Sequence, residues 1–169
     1  MIGHELILLG LLKESPKHGY DVKKKIKEIL FLFAGVHLKS VYYPLAVLEK
    51  RGFLAKRINK EGRRPRRFVY ELTPKGEGRF KKLLRESFLN FKRPEFSLDL
   101  SLYFLNYMPS ETAKRRLRAR AQVLKNLSAS LTQMLKSLDK KKGLSFILEH
   151  NLQMVQTEYR FLANLISTL

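Results

Sequence analysis

Residues 40–76 read SVYYPLAVLEKRGFLAKRINKEGRRPRRFVYELTPKG, and this stretch decides the fold. Its first third predicts a helix from about Ser40 to Arg51. Ser40 suits an N-cap. Pro44 falls in or just past the first turn, where a missing N–H does least harm. Val41, Leu45 and Leu48 recur at helical spacing, with Tyr42 beside them. Gly52 supplies the stop at C′. Two strand-like runs follow, Phe53–Ile58 and Arg67–Leu72. In the second, Phe68, Tyr70 and Leu72 alternate with Arg67, Val69 and Glu71. The polar segment between them holds Gly62 and Pro65 and reads as a hairpin tip. Thr73-Pro74 is a cap followed by Pro at N1, so a helix starts there and runs to about Asn90.

Upstream, residues 4–14 predict a short helix, with either Leu6, Leu9 and Leu12 or Ile7, Gly10 and Leu11 near helical spacing. Ser15-Pro16 breaks it. Residues 18–30 predict a second helix with Tyr20, Val22, Ile26, Ile29 and Leu30 as its apolar stripe. Three helices and a hairpin, in that order, are the order of a winged helix-turn-helix. Lys92-Arg93-Pro94 closes this unit.

Downstream, residues 96–107 fit a strand or a helix, and helix is preferred because no partner strand is visible. Pro109-Ser110-Glu111 starts a long helix with Leu117, Arg120, Leu124, Leu127, Leu131, Met134 and Leu138 at spacings of three and four. Lys140–Gly143 is a basic turn. Leu148, Leu152, Val155, Tyr159, Leu162, Ile166 and Leu169 then repeat as heptads. Two such helices form an antiparallel hairpin, and a second copy of the chain is the economical cover for stripes that one hairpin leaves open. The expected fold is mainly α with a small β-hairpin wing. Residues 1–93 form a winged helix-turn-helix DNA-binding domain, and residues 94–169 a helical dimerisation domain.

Charge narrows the function. The 169 residues hold 34 Lys+Arg and 15 Asp+Glu, a formal net charge of +19. That favours a polyanion, nucleic acid before an anionic membrane surface. Residues 1–93 carry +14 of the excess and residues 94–169 only +5, which disfavours a membrane-surface role for the C-terminal helices. The longest run without a charged residue is eleven residues, Leu100 to Ser110, too short to span a bilayer. Leu6–Leu12 lacks the flanks of a signal peptide, so the expected compartment is the cytoplasm. With no Cys, disulfides, Cys-ligated zinc and thiol nucleophiles are excluded. His4, His18, His37 and His150 have no metal-site spacing. No phosphate loop or nucleophile elbow is present. Neither an enzyme nor a metal or other cofactor is expected.

Several motifs occur in order over residues 6–76: Leu9-Gly10-Leu11-Leu12, Ser15-Pro16-Lys17-His18-Gly19-Tyr20-Asp21-Val22, Ser40-Val41-Tyr42-Tyr43-Pro44-Leu45, Leu48-Glu49-Lys50-Arg51-Gly52-Phe53-Leu54 and Gly62 through Gly76. Together they resemble the PadR family of transcriptional regulators. Leu148 through Leu162 is more loosely similar to that family's C-terminal extension. The resemblance implies a homodimeric repressor, released by a small aromatic or toxic compound. The chain has no Trp, so it lacks the residues between which some short members stack planar drugs.

The expected contacts with double-stranded DNA fall in three groups. Lys60, Arg63, Arg64, Arg66 and Arg67 crowd the wing and suit phosphate or minor-groove contact. Lys39, Ser40, Tyr42 and Tyr43 begin the third helix, the end that reaches base edges. Lys17, His18, Lys23 and Lys24 begin or flank the second, where a helix N-terminus favours phosphate. Dimerisation is assigned to Leu117, Leu124, Leu127, Leu131, Leu148, Leu152, Val155, Tyr159, Leu162 and Ile166. Phe31, Phe33, Phe96, Tyr103, Phe104 and Tyr107 read either as core or as the lining of an effector pocket. A sequence-independent architectural DNA-binding protein is the rival reading, supported by charge alone.

Overall fold

The computed structural model describes residues 2–29, 40–59, 67–91, 96–138 and 143–169. It divides into two compact units, Met1–Arg93 and Pro94–Leu169. The first holds α1 (Ile2–Glu14), β1 (Lys17–His18), α2 (Gly19–Ile29), α3 (Tyr42–Lys50), β2 (Leu54–Asn59), β3 (Arg67–Leu72) and α4 (Pro74–Leu89). The second holds α5 (Asp99–Tyr103), a 3-10 turn (Leu105–Tyr107), α6 (Ser110–Lys136) and α7 (Gly143–Thr168). This is the mainly helical, winged architecture the sequence predicts. Among the described residues no helix is long and apolar enough to cross a membrane.

The two competing stripes of α1 are both used. Leu8, Leu9, Leu11 and Leu12 are all buried, so α1 is apolar nearly all round and forms the hub of its unit. Val22 and Ile26 of α2, Val41, Leu45 and Leu48 at α3, Leu54, Tyr70 and Leu83 close over it. Gly10 lets α4 approach: a Cβ there would meet the Phe80 ring at 3.3 Å.

The third helix begins one residue later than expected. Val41 occupies the N-cap position with no side-chain cap. Ser40 Oγ still accepts a long 3.4 Å bond from the Tyr42 N–H. The start shifts because Val41 is needed in the core, where it is 3% exposed. The other end follows the expectation. Gly52, at φ 75°, adopts the left-handed conformation. Its N–H bonds to Glu49 O at 2.8 Å and the Phe53 N–H to Leu48 O at 3.0 Å, the two bonds of a Schellman motif.

That turn is tied to the start of α4. Thr73 Oγ1 accepts from the Gly76 N–H at 3.0 Å and lies 2.7 Å from Gly52 O, to which it donates. Lys75 Nζ donates to Arg51 O at 2.9 Å. Across the unit, Arg79 grips Glu5 with two bonds of 2.9 Å, joining α4 to α1.

The grip predicts a pH dependence. The Arg79 hydrogen bonds hold the Glu5 carboxyl below the usual carboxylate range, against the opposing pull of burial. A depressed carboxyl stabilises the fold fully above its unfolded value and loses that contribution as pH falls through the folded one. Glu5→Gln should therefore lower the thermal midpoint more at pH 7 than at pH 3. An equal loss at both values would mean that the pair's charge contributes nothing.

The sheet is three-stranded, not a bare hairpin. Its order is β1-β3-β2, antiparallel throughout. β1 pairs Lys17 with Tyr70 and His18 with Val69. Two residues are too few to show a period, so sequence reading placed them at the start of α2.

In the second unit α6 and α7 run antiparallel. Ser110 Oγ, at the start of α6, bonds Leu169 O at 3.0 Å, and Arg120 bonds Glu158 at 2.7 Å. The buried line on α6 is Ala113, Leu117, Ala121, Leu124 and Leu131. Ala121 takes the seam place expected for Arg120, because a methyl lets the helices close while the longer side chain reaches Glu158 from the edge. Within residues 96–107, α5 and the 3-10 turn are helical, the type preferred over a strand. Their aromatics are not core: Phe96, Tyr103, Phe104 and Tyr107 are all exposed, Tyr107 by 88%. Phe31 and Phe33 lie outside the described residues.

Candidate nucleic-acid interface

Three segments of the first unit meet: the start of α2, the start of α3 and the stem of the β2–β3 hairpin. The pairing of β1 with β3 brings them together, because β1 leads directly into α2. His18 Nδ1 sits 3.2 Å from Phe68 O and reinforces that pairing. Gly19 is buried, and the Tyr42 ring lies against it. A Cβ at Gly19 would come within 3.1 Å of Tyr42 Cε1. The bare backbone at this one position seats the ring of the first α3 residue on the first turn of α2.

The result is a cleft of about 560 Å³ lined by His18, Gly19, Tyr20, Asp21, Tyr42, Phe68 and Tyr70. Its floor is the buried Tyr70 ring, and its rim is the exposed Tyr20, Tyr42 and Phe68. Burial, with smaller contributions from Glu49 and Tyr42, raises the Tyr70 phenol above its usual range, so at neutral pH it keeps its proton. Lys56 Nζ stands 3.9 Å from the Phe68 ring centroid, and Lys23 and Lys24 are exposed on α2. Aromatic faces, hydroxyls and flanking cations in one place are the groups that pack on bases and bond phosphates.

The structure separates the residues expected to touch DNA. Tyr42 is 49% exposed and Tyr43 77%. They leave α3 in different directions. Tyr43 lines a second cleft of about 440 Å³ with His4, Glu5, Leu8, Pro44, Val47, Leu48, Arg51 and Arg79. Lys17 is placed on β1 rather than on α2. Its ammonium is engaged by Ser15 Oγ at 2.7 Å and Glu14 at 3.6 Å. His18 is likewise a strand residue, half-buried between β3 and the cleft. Ser40 is exposed beside Tyr42. Lys39, Lys60, Arg63, Arg64 and Arg66 lie outside the described residues, as does the side chain of Arg67. The backbone of Arg67 is the first residue of β3, opposite Asn59.

Sequence reading missed Tyr20, Lys56 and Phe68. Tyr20 was assigned to the buried stripe of α2, yet it is 68% exposed. Its position gives the reason. Val22 and Ile26 are buried four residues apart, and two residues before Val22 is about 200° round a 3.6-residue helix. Lys56 and Phe68 look like ordinary strand residues until the register sets their strands side by side.

The residues assigned to dimerisation also divide. Leu117, Leu124, Leu131, Leu148 and Leu162 are buried within one chain, the last two completely. Here the two stripes face each other, and the hairpin itself covers these five residues. Leu127 and Tyr159 remain exposed at 44% and 37%, and Leu152, Val155 and Ile166 are half-buried.

Residues 8–82 match the model of the transcriptional regulator PadR-like family. No curated protein matches the chain. Bacillus subtilis PadR in complex with operator DNA has the same fold, with a TM-score of 0.77 at 20% identity, covering 97% of this chain and 96% of that one. The same protein in complex with p-coumaric acid aligns as well, with a TM-score of 0.77 at 19% identity, over 97% of this chain and 96% of that one. A PadR-like transcriptional regulator of Bacillus cereus aligns at 0.70, with 18% identity over 98% of this chain and 96% of that one. At these identities the likeness is one of fold.

Proposed function

We propose that this chain, which belongs to the PadR-like family of transcriptional regulators through its N-terminal unit, is a homodimeric repressor. It binds operator DNA sequence-specifically and is released by a small aromatic compound. The observation that carries the reading is the meeting of the α2 start, the α3 start and the wing stem at one cleft rimmed by exposed Tyr20, Tyr42 and Phe68. Support for the DNA comes from the +14 charge of residues 1–93 and from the operator complex of Bacillus subtilis PadR. Support for the effector comes from that protein's p-coumaric acid complex.

In this reading α3 enters the major groove by its first turn, and the wing lies on the backbone beside it. Pro44, the third residue of α3, has no N–H to leave unpaired and a fixed φ, so the turn is presented rigidly. A tyrosine ring can pack on a thymine methyl while its hydroxyl bonds a phosphate. Lys39 donates to guanine or phosphate. Tyr43→Ala should cost on the order of 1–3 kcal/mol on the operator and much less on random DNA. The thermal midpoint should barely move, because the ring is 77% exposed. A large drop in stability with an intact operator preference would remove Tyr43 from the reading surface.

Two copies place their reading helices about one DNA turn apart, roughly 34–36 Å. The dimer surface is assigned to residues 94–169, to the apolar side chains one chain leaves open: Leu100, Tyr103 and Tyr107 near α5, and Val123 and Leu127 on α6. In sedimentation at micromolar concentration the full chain should be a dimer, and Leu100→Glu/Tyr103→Glu should be a monomer that retains its helicity. A monomeric wild-type chain contradicts this assignment.

A further inference from the structure

The C-terminal unit holds a concentration of charge that the DNA-binding site described above does not use. Helix α6 carries seven Lys and Arg and a single acid, Glu111. Five of the seven fall within Lys114–Arg120. The helix alone is thus more positive than the whole of residues 94–169, whose net charge is +5. Averaging over the half-chain conceals it.

Only two of these cations are neutralised among the described residues. Lys114 lies 3.5 Å from Glu111, and Arg120 lies 2.6 Å from Glu158. Arg115, Arg116, Arg118 and Lys125 are exposed and have no side-chain hydrogen bond or ion pair among the described residues. Arg115 and Arg118 line a shallow depression of about 340 Å³ with Glu111 and Thr112. Arg115, Arg118 and Lys125 follow one another at three and seven residues, which sets them along one face of the helix.

The row is unfavourable for the helix itself. Lys114 with Arg118, Arg115 with Arg118, and Arg116 with Arg120 are like charges at i,i+3 and i,i+4, which destabilise a helix. They also sit in its first turns, where the macrodipole disfavours cations. Neither the helix's own stability nor its packing accounts for the three free guanidiniums. A polyanion outside the chain accounts for them, and it relieves both penalties at once.

We propose that Arg115, Arg116 and Arg118 of α6 form a second phosphate-binding site, which holds the backbone of DNA away from the bases that α3 reads. Exposed guanidiniums suit phosphate oxygens, which they can bind bidentately. The inference rests on the DNA-binding reading, since a chain that binds DNA already brings that polyanion close. It adds affinity without sequence preference.

The test is the salt dependence of binding by the full chain to a mixed-sequence 40-bp duplex, followed by fluorescence anisotropy. For Arg115→Gln/Arg116→Gln/Arg118→Gln the slope of log K against log salt should flatten by about 0.9 for each lost contact, so by about 2.7 per protomer if all three are made. Arg115→Lys/Arg116→Lys/Arg118→Lys should keep most of the slope. Circular dichroism of the Gln variant should show undiminished helicity, since only repulsion has been removed. A slope equal to wild type overturns the proposal. So does an unchanged slope coupled with lost binding to phosphatidylglycerol vesicles, which would assign the row to a membrane surface. If the wild-type chain binds no DNA at all, it is the DNA-binding reading that fails first.

Discussion

Gly76→Ala is expected to cost the N-terminal unit about 3 kcal/mol, at the upper end of ordinary overpacking. Intrinsic helix preference points the other way: within a helix Ala is better than Gly by about 1 kcal/mol. Geometry decides. A Cβ at Gly76 would stand 2.0 Å from Phe53 O and 2.9 Å from Leu72 Cδ1. Phe53 O accepts the Thr73 N–H at 3.1 Å, so the carbonyl cannot swing away without breaking the link between β2 and α4. Gly78, two residues on in the same helix, meets nothing within 4 Å. Gly78→Ala should therefore be neutral or stabilising by up to about 1 kcal/mol. Urea unfolding of the two variants measures both. Similar midpoints for both would show that α4 does not start against Phe53 as described.

Neutralising Arg63, Arg64, Arg66 and Arg67 together is expected to weaken binding to every DNA sequence alike. The hairpin register ends with Asn59 opposite Arg67, so residues 60–66 join its two strands. Five Lys and Arg lie between Asn59 and Arg67 inclusive. Each lost phosphate contact flattens the log K versus log salt slope by about 0.9, so four lost contacts flatten it by about 3.6 per protomer. The ratio of operator to random affinity should stay nearly constant, because phosphates carry no sequence. Salt titration on both DNAs tests this. An unchanged slope would mean that the wing does not touch DNA. A collapsed ratio would mean that it reads bases.

What the sequence showed was whatever had a strong local cause. Thr73-Pro74 fixed the start of α4 because cap and N1 proline act within one turn. Gly52 fixed the end of α3 because only a left-handed residue closes that turn cheaply. The start of α3 slipped because Val41's burial outweighed Ser40's capping preference, a tertiary effect no local signal carries. β1 was invisible because its two residues are defined only by a partner 53 positions away, Lys17 against Tyr70. The C-terminal seam differs from the expected one where the small Ala121 takes the place expected for Arg120. On the proposed DNA face, Tyr42 and Tyr43 could be found from their position at a helix start. Lys56 and Phe68 required the register of the sheet. The charge of Lys17 is visible in the sequence, and its partners Ser15 and Glu14 are not.

The proposed effector release adds a condition that the same DNA measurements must meet. Tyr103 and Phe104 stack edge to face at 4.9 Å, and Phe104 and Tyr107 lie 6.2 Å apart. Of these exposed rings, Tyr103 and Tyr107 also belong to the proposed dimer surface. A small aromatic compound that competes there would loosen the spacing of the two reading helices, with no contact to DNA of its own.

Sequence-specific binding is tested most directly by a specificity ratio. The affinity of the full chain for its own promoter DNA is compared with that for a random duplex of equal length, by anisotropy at one salt concentration. A sequence-reading regulator should prefer the promoter by about 10³ or more. A ratio near one, with tight binding to both, would contradict the account and make the chain a DNA-coating protein.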